Sequence, residues 1–368
     1  MISVMMPVYN AAQFLRKTME SVFNQTERDF ELIVVNDGST DKSEEIILSY
    51  NDPRIRYFKQ ENGGEAAARN TALDQAKGDL IVFQDSDDIS VPARFEILKK
   101  HFTGDAIGFV HSDIMYIDEK DQPFLYLASG NIENSRMLRF FLKWGTPFNN
   151  PSMMVRRAVF DSFRYDTSLH IGTDTDMVFR TARRWLNVHV PQPLLLYRRH
   201  TGNLTNQSTY ENNFLHVRKL LERHTIAELV PELDWEKSGT TDNQAKACAI
   251  IALILLRRAM GKDAPAWIGK AIKLAVSPEA KHFVEAIAKL MAGHYQAALT
   301  LLEASPVRDH LIENYTGEAL SLMGRKEEAY HHYRRALELK PDYSEPLDQI
   351  KGLGWYKKYT AVAAPWRL

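Results

Sequence analysis

Cysteine is almost missing from this 368-residue sequence: Cys248 stands alone, so an intramolecular disulfide is impossible and a reducing compartment is the simplest setting. No apolar run is long enough to cross a bilayer; the longest stretch, 245–256, is interrupted by Lys246 and stops at Arg257-Arg258. The first residues, Met1-Ile2-Ser3-Val4, lack a basic segment and already read as a strand, so no signal peptide is expected. Charge of one sign is lacking too. The 46 Lys and Arg against 47 Asp and Glu leave a net charge of −1, and the basic residues are spread along the chain, which excludes the stripe that a nucleic-acid partner requires. These absences point to a cytoplasmic protein. What is there is an ordinary globular composition, 45% hydrophobic, enough for about two or three domains.

The first half alternates two periods. Strands are expected at Ile2-Ser3-Val4-Met5-Met6, Phe30-Glu31-Leu32-Ile33-Val34-Val35, Ile55-Arg56-Tyr57-Phe58 and Leu80-Ile81-Val82-Phe83, with helices near 12–25, 43–50 and 64–76 between them. Such alternation predicts a largely parallel sheet with helices on both faces and ligands at the carboxyl ends of the strands. Four polar clusters follow strands and so fall on that rim: Pro7-Val8-Tyr9-Asn10, Asn36-Asp37-Gly38-Ser39, Asn62-Gly63-Gly64 and Gln84-Asp85-Ser86-Asp87-Asp88.

Each cluster has a structural reading and a functional one. Asn10 serves as a helix cap, or Tyr9 brackets a base. Asp37 belongs to a strand-to-helix turn, or its carboxylate accepts the imide N–H of uracil, a group that cytosine lacks. Gly63 and Gly64 let the backbone approach a ligand, and Arg69, one helical turn onward, meets phosphate or pairs with an acid. In the last cluster Asp85 and Asp87 concentrate more negative charge than a turn needs. A hard divalent cation, Mg²⁺ or Mn²⁺, would offset that repulsion and keep positions open for the oxygens of a nucleotide diphosphate. Asp88 reads as the cap of the turn that follows, which contains Pro92.

Taken in order and at their separations, these segments, with Ala68-Arg69-Asn70, resemble the family 2 inverting glycosyltransferases of GT-A fold over about residues 1–205. The resemblance implies an α/β class in which a GT-A domain with a Rossmann-like mixed sheet binds a UDP-sugar. It assigns Pro7, Tyr9, Asn10, Asp37, Asn62, Gly63, Arg69, Asp85 and Ser86 to the nucleotide sugar, with Asp37 on uracil and Asp85 on the ribose or the metal shell. Asp87 would hold the Mn²⁺ or Mg²⁺ that bridges the diphosphate. Members carry a Glu-Asp pair ahead of an apolar helix; here Gly172-Thr173-Asp174-Thr175-Asp176 offers Asp174 as general base, and Thr173 stands where the Glu would be. Without that role, Asp174 caps its helix and Asp176 stabilises the first turn. Similar enzymes close a Tyr-Arg-x-His segment over the diphosphate, which here is Tyr197-Arg198-Arg199-His200, so His200 is a candidate metal or phosphate ligand with Arg198 nearby. His111-Ser112-Asp113 and Asn149-Asn150-Pro151-Ser152 resemble segments that shape the sugar and acceptor pocket. Thr181 occupies the first position of what would be a Gln-x-x-Arg-Trp motif, which argues for a non-processive enzyme.

From about residue 205 the character turns helical, with a connector at 206–243 and a repeat region at 244–368. Gly261, Gly293 and Gly324 recur at near-constant spacing, each five positions before an alanine, Ala266, Ala298 and Ala329. The last unit, with Gly317, Tyr333, Ala336 and Pro341, follows the tetratricopeptide pattern. A stack of helix pairs would bind a protein, glycan or lipid-linked acceptor, dimerise, or simply buttress the enzyme. The aromatic and cationic tail from Trp355 to Arg367 caps the array or lies at the inner face of the membrane near a lipid-linked acceptor. The expected function is transfer of a sugar from a UDP-sugar to an acceptor hydroxyl in polysaccharide or glycoconjugate assembly. The rival is a nucleotide-sugar-binding scaffold with weak or lost catalysis.

Overall fold

The computed structural model describes residues 1–350 apart from 131–133, 146–147, 149, 204–205, 207–208, 237–239 and 344. Asn149 and the tail 355–367 therefore lie outside the described residues. The chain divides into two compact units, Met1–Arg223 and His224–Leu368.

In the first unit the strands are β1 (Ile2–Val8), β2 (Phe30–Asp37), β3 (Ile55–Gln60), β4 (Leu80–Phe83), β5 (Ile89–Ser90), β6 (Ile107–Ile117), β7 (Pro123–Leu127), β8 (Met154–Arg156) and β9 (Leu186–Arg198). The helices are α1 (Leu15–Phe23), α2 (Ser43–Leu48), α3 (Glu65–Gln75), α4 (Arg94–Lys100), α5 (Asn134–Trp144), α6 (Thr173–Thr181) and α7 (Tyr210–Arg223). The sheet runs β3-β2-β1-β4-β8-β6-β9-β5, with β7 added on β6. β1, β2 and β4 are buried on both faces, as near-continuous apolar runs demand. Ile2, Val4, Met6 and Val8 on one face of β1 pack with Leu32, Val34, Val82 and the inner side of α1, Leu15, Met19 and Val22.

The parallel expectation holds for β1 to β4 and stops there. β8 runs antiparallel to β4 and β6, β5 antiparallel to β9, and among the described residues only β6 and β9 pair in parallel beyond it. The sheet is mixed. Its strand order reverses beside β1, so the carboxyl ends of β1, β2 and β4 border the crevice in which open α/β sheets bind ligands.

The second unit holds α8 (Ile226–Leu229), α9 (Thr240–Arg257), α10 (Ala264–Leu274), α11 (Pro278–Met291), α12 (Tyr295–Glu303), α13 (His310–Leu322) and α14 (Lys326–Leu339). Gly293 and Gly324 take positive φ of 77° and 82° just past α11 and α13, and the next N–H bonds back across the turn, His294 to Lys289 O and Arg325 to Leu320 O. Ala298 and Ala329 are fully buried, and a side chain at Gly317 would meet the Tyr333 ring at 2.8 Å. The first turn departs from the expected pattern. Ala259, not Gly261, is left-handed at φ 62°, Met260 N–H bonds back to Leu255 O, and the buried small residue that follows is Ala264 while Ala266 is exposed. Among the described residues no helix is long and apolar enough to cross a membrane.

Candidate active site

The rim loops are bound to one another before any ligand is considered. Asn10, left-handed at φ 48°, accepts the Thr40 N–H at 2.8 Å, and its own N–H donates to Ser39 Oγ at 3.0 Å. Ala12 N–H donates to Asp41 at 3.0 Å, which ties the loop after β1 to the loop after β2. Asp37 is buried at the end of β2 and accepts from Gln60 Nε2 at 2.7 Å, Gly63 N at 3.0 Å and Gly64 N at 2.9 Å. A carboxylate offers about four lone-pair positions, so one remains. Gly38 is left-handed and its missing side chain is where Asn62 N comes, 2.9 Å from an ideal Cβ. Tyr9 stands out from this frame with 51% of its surface exposed; Asn62 and Gly63 are exposed and Pro7 is half-buried.

The acidic turn after β4 is braced from within. Gln84 donates to the carbonyls of Asp85 and Asp88 and accepts from Ser90 and from Arg94, a fully buried guanidinium that also bonds Phe83 O and Pro151 O. Burial pulls Arg94 down to about 9, against the attraction of Asp88 and Asp85. Thr18 Oγ1 of α1 holds Ser86 O at 3.1 Å. Asp85 and Asp87 face outward and are partly exposed. Asp88 corrects the expectation of a simple cap: it is buried, its Oδ1 accepts the Arg198 N–H at 2.8 Å, and burial with Asp87 and Asp85 raises its acid well above the usual carboxylate range.

His200 reaches the same turn. Its Nε2 donates to Asp87 Oδ2 at 2.8 Å, its ring packs on Phe14 at 4.9 Å, and Asn203 Nδ2 is a further donor to Asp87 at 3.3 Å. Arg198 is turned away. It is fully buried, donates to Asp87 O and Asp118 O, pairs with Asp121 and stacks over Phe14, so it locks the segment in place instead of facing a diphosphate. Among the described residues no three His, Cys, Asp or Glu side chains form a ready metal cluster. The donor set nevertheless fits Mn²⁺ or Mg²⁺, which take one or two carboxylates and complete their shells with phosphate oxygens, and imidazole is an accepted ligand of the softer ion.

Arg69 joins this end of the site to the other. Only 3% exposed, it pairs with Glu65 at 2.7 Å and Asp85 at 3.3 Å, donates to Thr173 Oγ1 at 3.1 Å, and lies over the rings of Tyr165 and Phe83. Thr173 in turn donates to Glu65 Oε2 at 3.1 Å. Burial lowers the guanidinium's hold on its proton, but Glu65 and Asp85 outweigh it and the net shift is upward. At Asp85, removal from water raises the acid, Arg69 pulls it down, and Glu65, Asp87 and Asp174 leave it at about 7.

Asp174 opens the second turn of this network. It is half-buried in the first turn of α6, and its carboxylate accepts a local bond from Thr175 N at 2.8 Å. Burial raises it above the usual carboxylate value, with Arg69 opposing and Glu65 adding. Asp176 is different: 4% exposed, it is paired with Arg180 and with Arg223 of α7. Gly172, left-handed at φ 76°, seats the start of α6 on His216 of α7, where a Cβ would come within 2.4 Å of the imidazole.

Sequence reasoning did not single out Glu65, although its spacing to Arg69, one helical turn apart, carries the signal of an ion pair. It also missed Tyr165, whose backbone N–H and C=O are both held by the Asn70 amide, at 2.8 and 3.0 Å. Ser112 and Asp113 lie buried on β6; Asp113 accepts from His189, Tyr126 and Ser129 N, and His111 stacks on His189 at 5.2 Å.

Comparison with known proteins agrees with this architecture. Residues 3–163 match the model of the family described as "Glycosyl transferase family 2". An uncharacterized glycosyltransferase of Haemophilus influenzae is 34% identical over 174 residues, 46% of this chain and 68% of that protein. One from Rickettsia bellii is 29% identical over 234 residues, and there the chain spans only 34% of the relative's length. The crystal structure of S. aureus TarS 1-349 in complex with UDP-GlcNAc is similar in fold, with a TM-score of 0.51, 17% identity and coverage of 92% of this chain and 90% of that one. The fold is that of the GT-A glycosyltransferases, followed along the chain by a helical region, and the chain belongs to glycosyl transferase family 2.

Proposed function

We propose that the first unit moves one sugar from a UDP-sugar to an acceptor hydroxyl, with inversion and without processivity, in polysaccharide or glycoconjugate assembly. The observation that carries this reading is the convergence of a strand-end acid, Asp85, and a helix-start acid, Asp174, on the buried Arg69. The nucleotide end is framed by Pro7, Tyr9, Asn10, Asn62 and Gly63, and the uracil imide would donate to the remaining lone pair of Asp37. Asp85 and Ser86 face the ribose. A bound Mn²⁺ or Mg²⁺ would be held by Asp87 with Asp85 and His200, and would neutralise charge that builds on the diphosphate as the glycosidic C1–O bond breaks. Asp174 takes the proton of the acceptor hydroxyl. Burial makes this carboxyl a weaker acid and so a stronger base for that step, and Arg69 opposes the rise.

The second unit, read as tetratricopeptide-like, supplies the surface for the acceptor, whether glycan, lipid-linked or protein, or for a second copy; its turns after α9, α11 and α13 share one left-handed geometry, which supports a repeat. A nucleotide-sugar donor and a lone cysteine both suit the cytoplasm. The test is a panel of UDP-sugars with Mn²⁺ and simple glycan acceptors. Wild type is expected to release UDP, and Asp174→Asn to lose roughly 10²–10⁴-fold in rate while it still binds UDP. Binding without turnover of any donor would instead make the chain a nucleotide-sugar-binding scaffold.

A further inference from the structure

We propose that Glu65 is a specificity-determining residue that accepts a hydrogen bond from a ring hydroxyl of the sugar being transferred, an assignment that rests on the UDP-sugar reading above. Three observations converge on it. Glu65 stands at the first position of α3, directly after the Gly63-Gly64 turn that Asp37 grips, so its place relative to the nucleotide end is fixed by backbone bonds and not by a flexible loop. Its carboxylate is aligned from two sides, Oε1 by Arg69 at 2.7 Å and Oε2 by the Thr173 hydroxyl at 3.1 Å, while 26% of the side chain stays open. Each oxygen so held keeps a second lone pair.

Its position decides what it meets. Arg69 bridges Glu65 to Asp85, on the diphosphate side, and Thr173 bridges it to the residue before Asp174, on the acceptor side. The group that lies between a diphosphate and the attacking hydroxyl is the sugar itself. The threonine at 173 also matters, because its short side chain leaves the acidic function at this spot to Glu65, which arrives from a different helix. The second polar group at the place is Tyr165. Its side chain is 3% exposed, it feels the charges of Arg69, Asp174, Glu65 and Asp85, and its hydroxyl is buried without a hydrogen-bond partner. A buried orphan hydroxyl of this kind is relieved by a bound polar ligand. A fixed carboxylate with open lone pairs suits a sugar hydroxyl.

The test compares UDP with UDP-glucose, UDP-galactose and UDP-N-acetylglucosamine by titration calorimetry in Mn²⁺, on wild type, Glu65→Gln and Glu65→Ala, with thermal midpoints to verify folding. UDP affinity is expected to stay within about twofold in both variants, and affinity for the preferred UDP-sugar to fall about tenfold in Glu65→Ala, which is about 1.4 kcal/mol, and less in Glu65→Gln. Glu65→Gln keeps an acceptor for Thr173 and so reports the contact if the alanine variant does not fold. A sugar-independent loss, equal for UDP and UDP-sugar, or no change in either, overturns the assignment alone. Failure of wild type to bind UDP overturns the donor reading, and this assignment with it.

Discussion

The two ends of the site use acids in opposite ways. At the end of β2 Asp37 takes three donors, Gln60, Gly63 and Gly64, and holds a loop in place. At the reacting end two acids stand two residues apart on α6, and they divide the same labour between them: Asp176 is paired twice and buried, while Asp174 is left half-open with a local bond. On α6 the acid bonded to two guanidiniums is the structural one, and on the reading proposed above the base is Asp174, whose acid burial raises while Arg69 opposes the rise.

That contrast can be broken directly. The largest effect is expected from exchanging the two α6 acids' fates: Asp174→Asn loses roughly 10²–10⁴-fold in UDP release with an unchanged thermal midpoint. A midpoint that falls instead would put Asp174 among the structural acids. Next comes Asp87→Ala, for which metal-dependent UDP affinity should drop roughly 100-fold, about 2.7 kcal/mol, by calorimetry with and without Mn²⁺; unaltered affinity would remove Asp87 from the metal shell. Asp176→Asn should do the reverse of the base variant and cost about 1–3 kcal/mol in denaturant unfolding, since it leaves two arginines short of a partner.

The smallest effect is on pH. Burial raises Asp174, so the acid limb of UDP release should lie above the ordinary carboxylate value of about 3.9, activity being lost as the base takes up its proton. Asp166 runs the other way. Burial would raise it, but Lys219 and Ser168 hold it well below the usual range, so its stabilisation is full above about pH 4 and disappears as pH falls through the folded value. The gap between the unfolding midpoints of wild type and Asp166→Asn should stay constant from pH 7 to about pH 4 and begin to narrow between about pH 4 and pH 3.

Much of the first unit was legible because its signals are local. The apolar runs of β1, β2 and β4, the glycines at 38, 63 and 64 and the acids after Phe83 each announce themselves within a few residues, and the rim they predict is the rim found. The rest depends on partners far along the chain. Nothing near Asp176 says that Arg223 will neutralise it, and nothing near Arg198 says that it will turn inward to Phe14. The antiparallel second half of the sheet has the same cause, since β8 is only three residues long and takes its direction from β4 and β6. In the helical unit Gly293 and Gly324 were readable because a left-handed turn prefers glycine. The first turn hid because Ala259 accepts that strain and Gly261 does not carry it.

The docking of α6 on α7 has a consequence for how this gene can be cut and recombined. Gly172 is seated on His216, and Arg223, the last residue of α7, closes on both Asp176 and Asp166. A reading frame shortened to the point where the composition turns helical would keep every rim residue and still lose the brace behind Asp174 and Asp176. The boundary between the two compact units therefore falls after residue 223, and a cut placed there keeps α7 with α6.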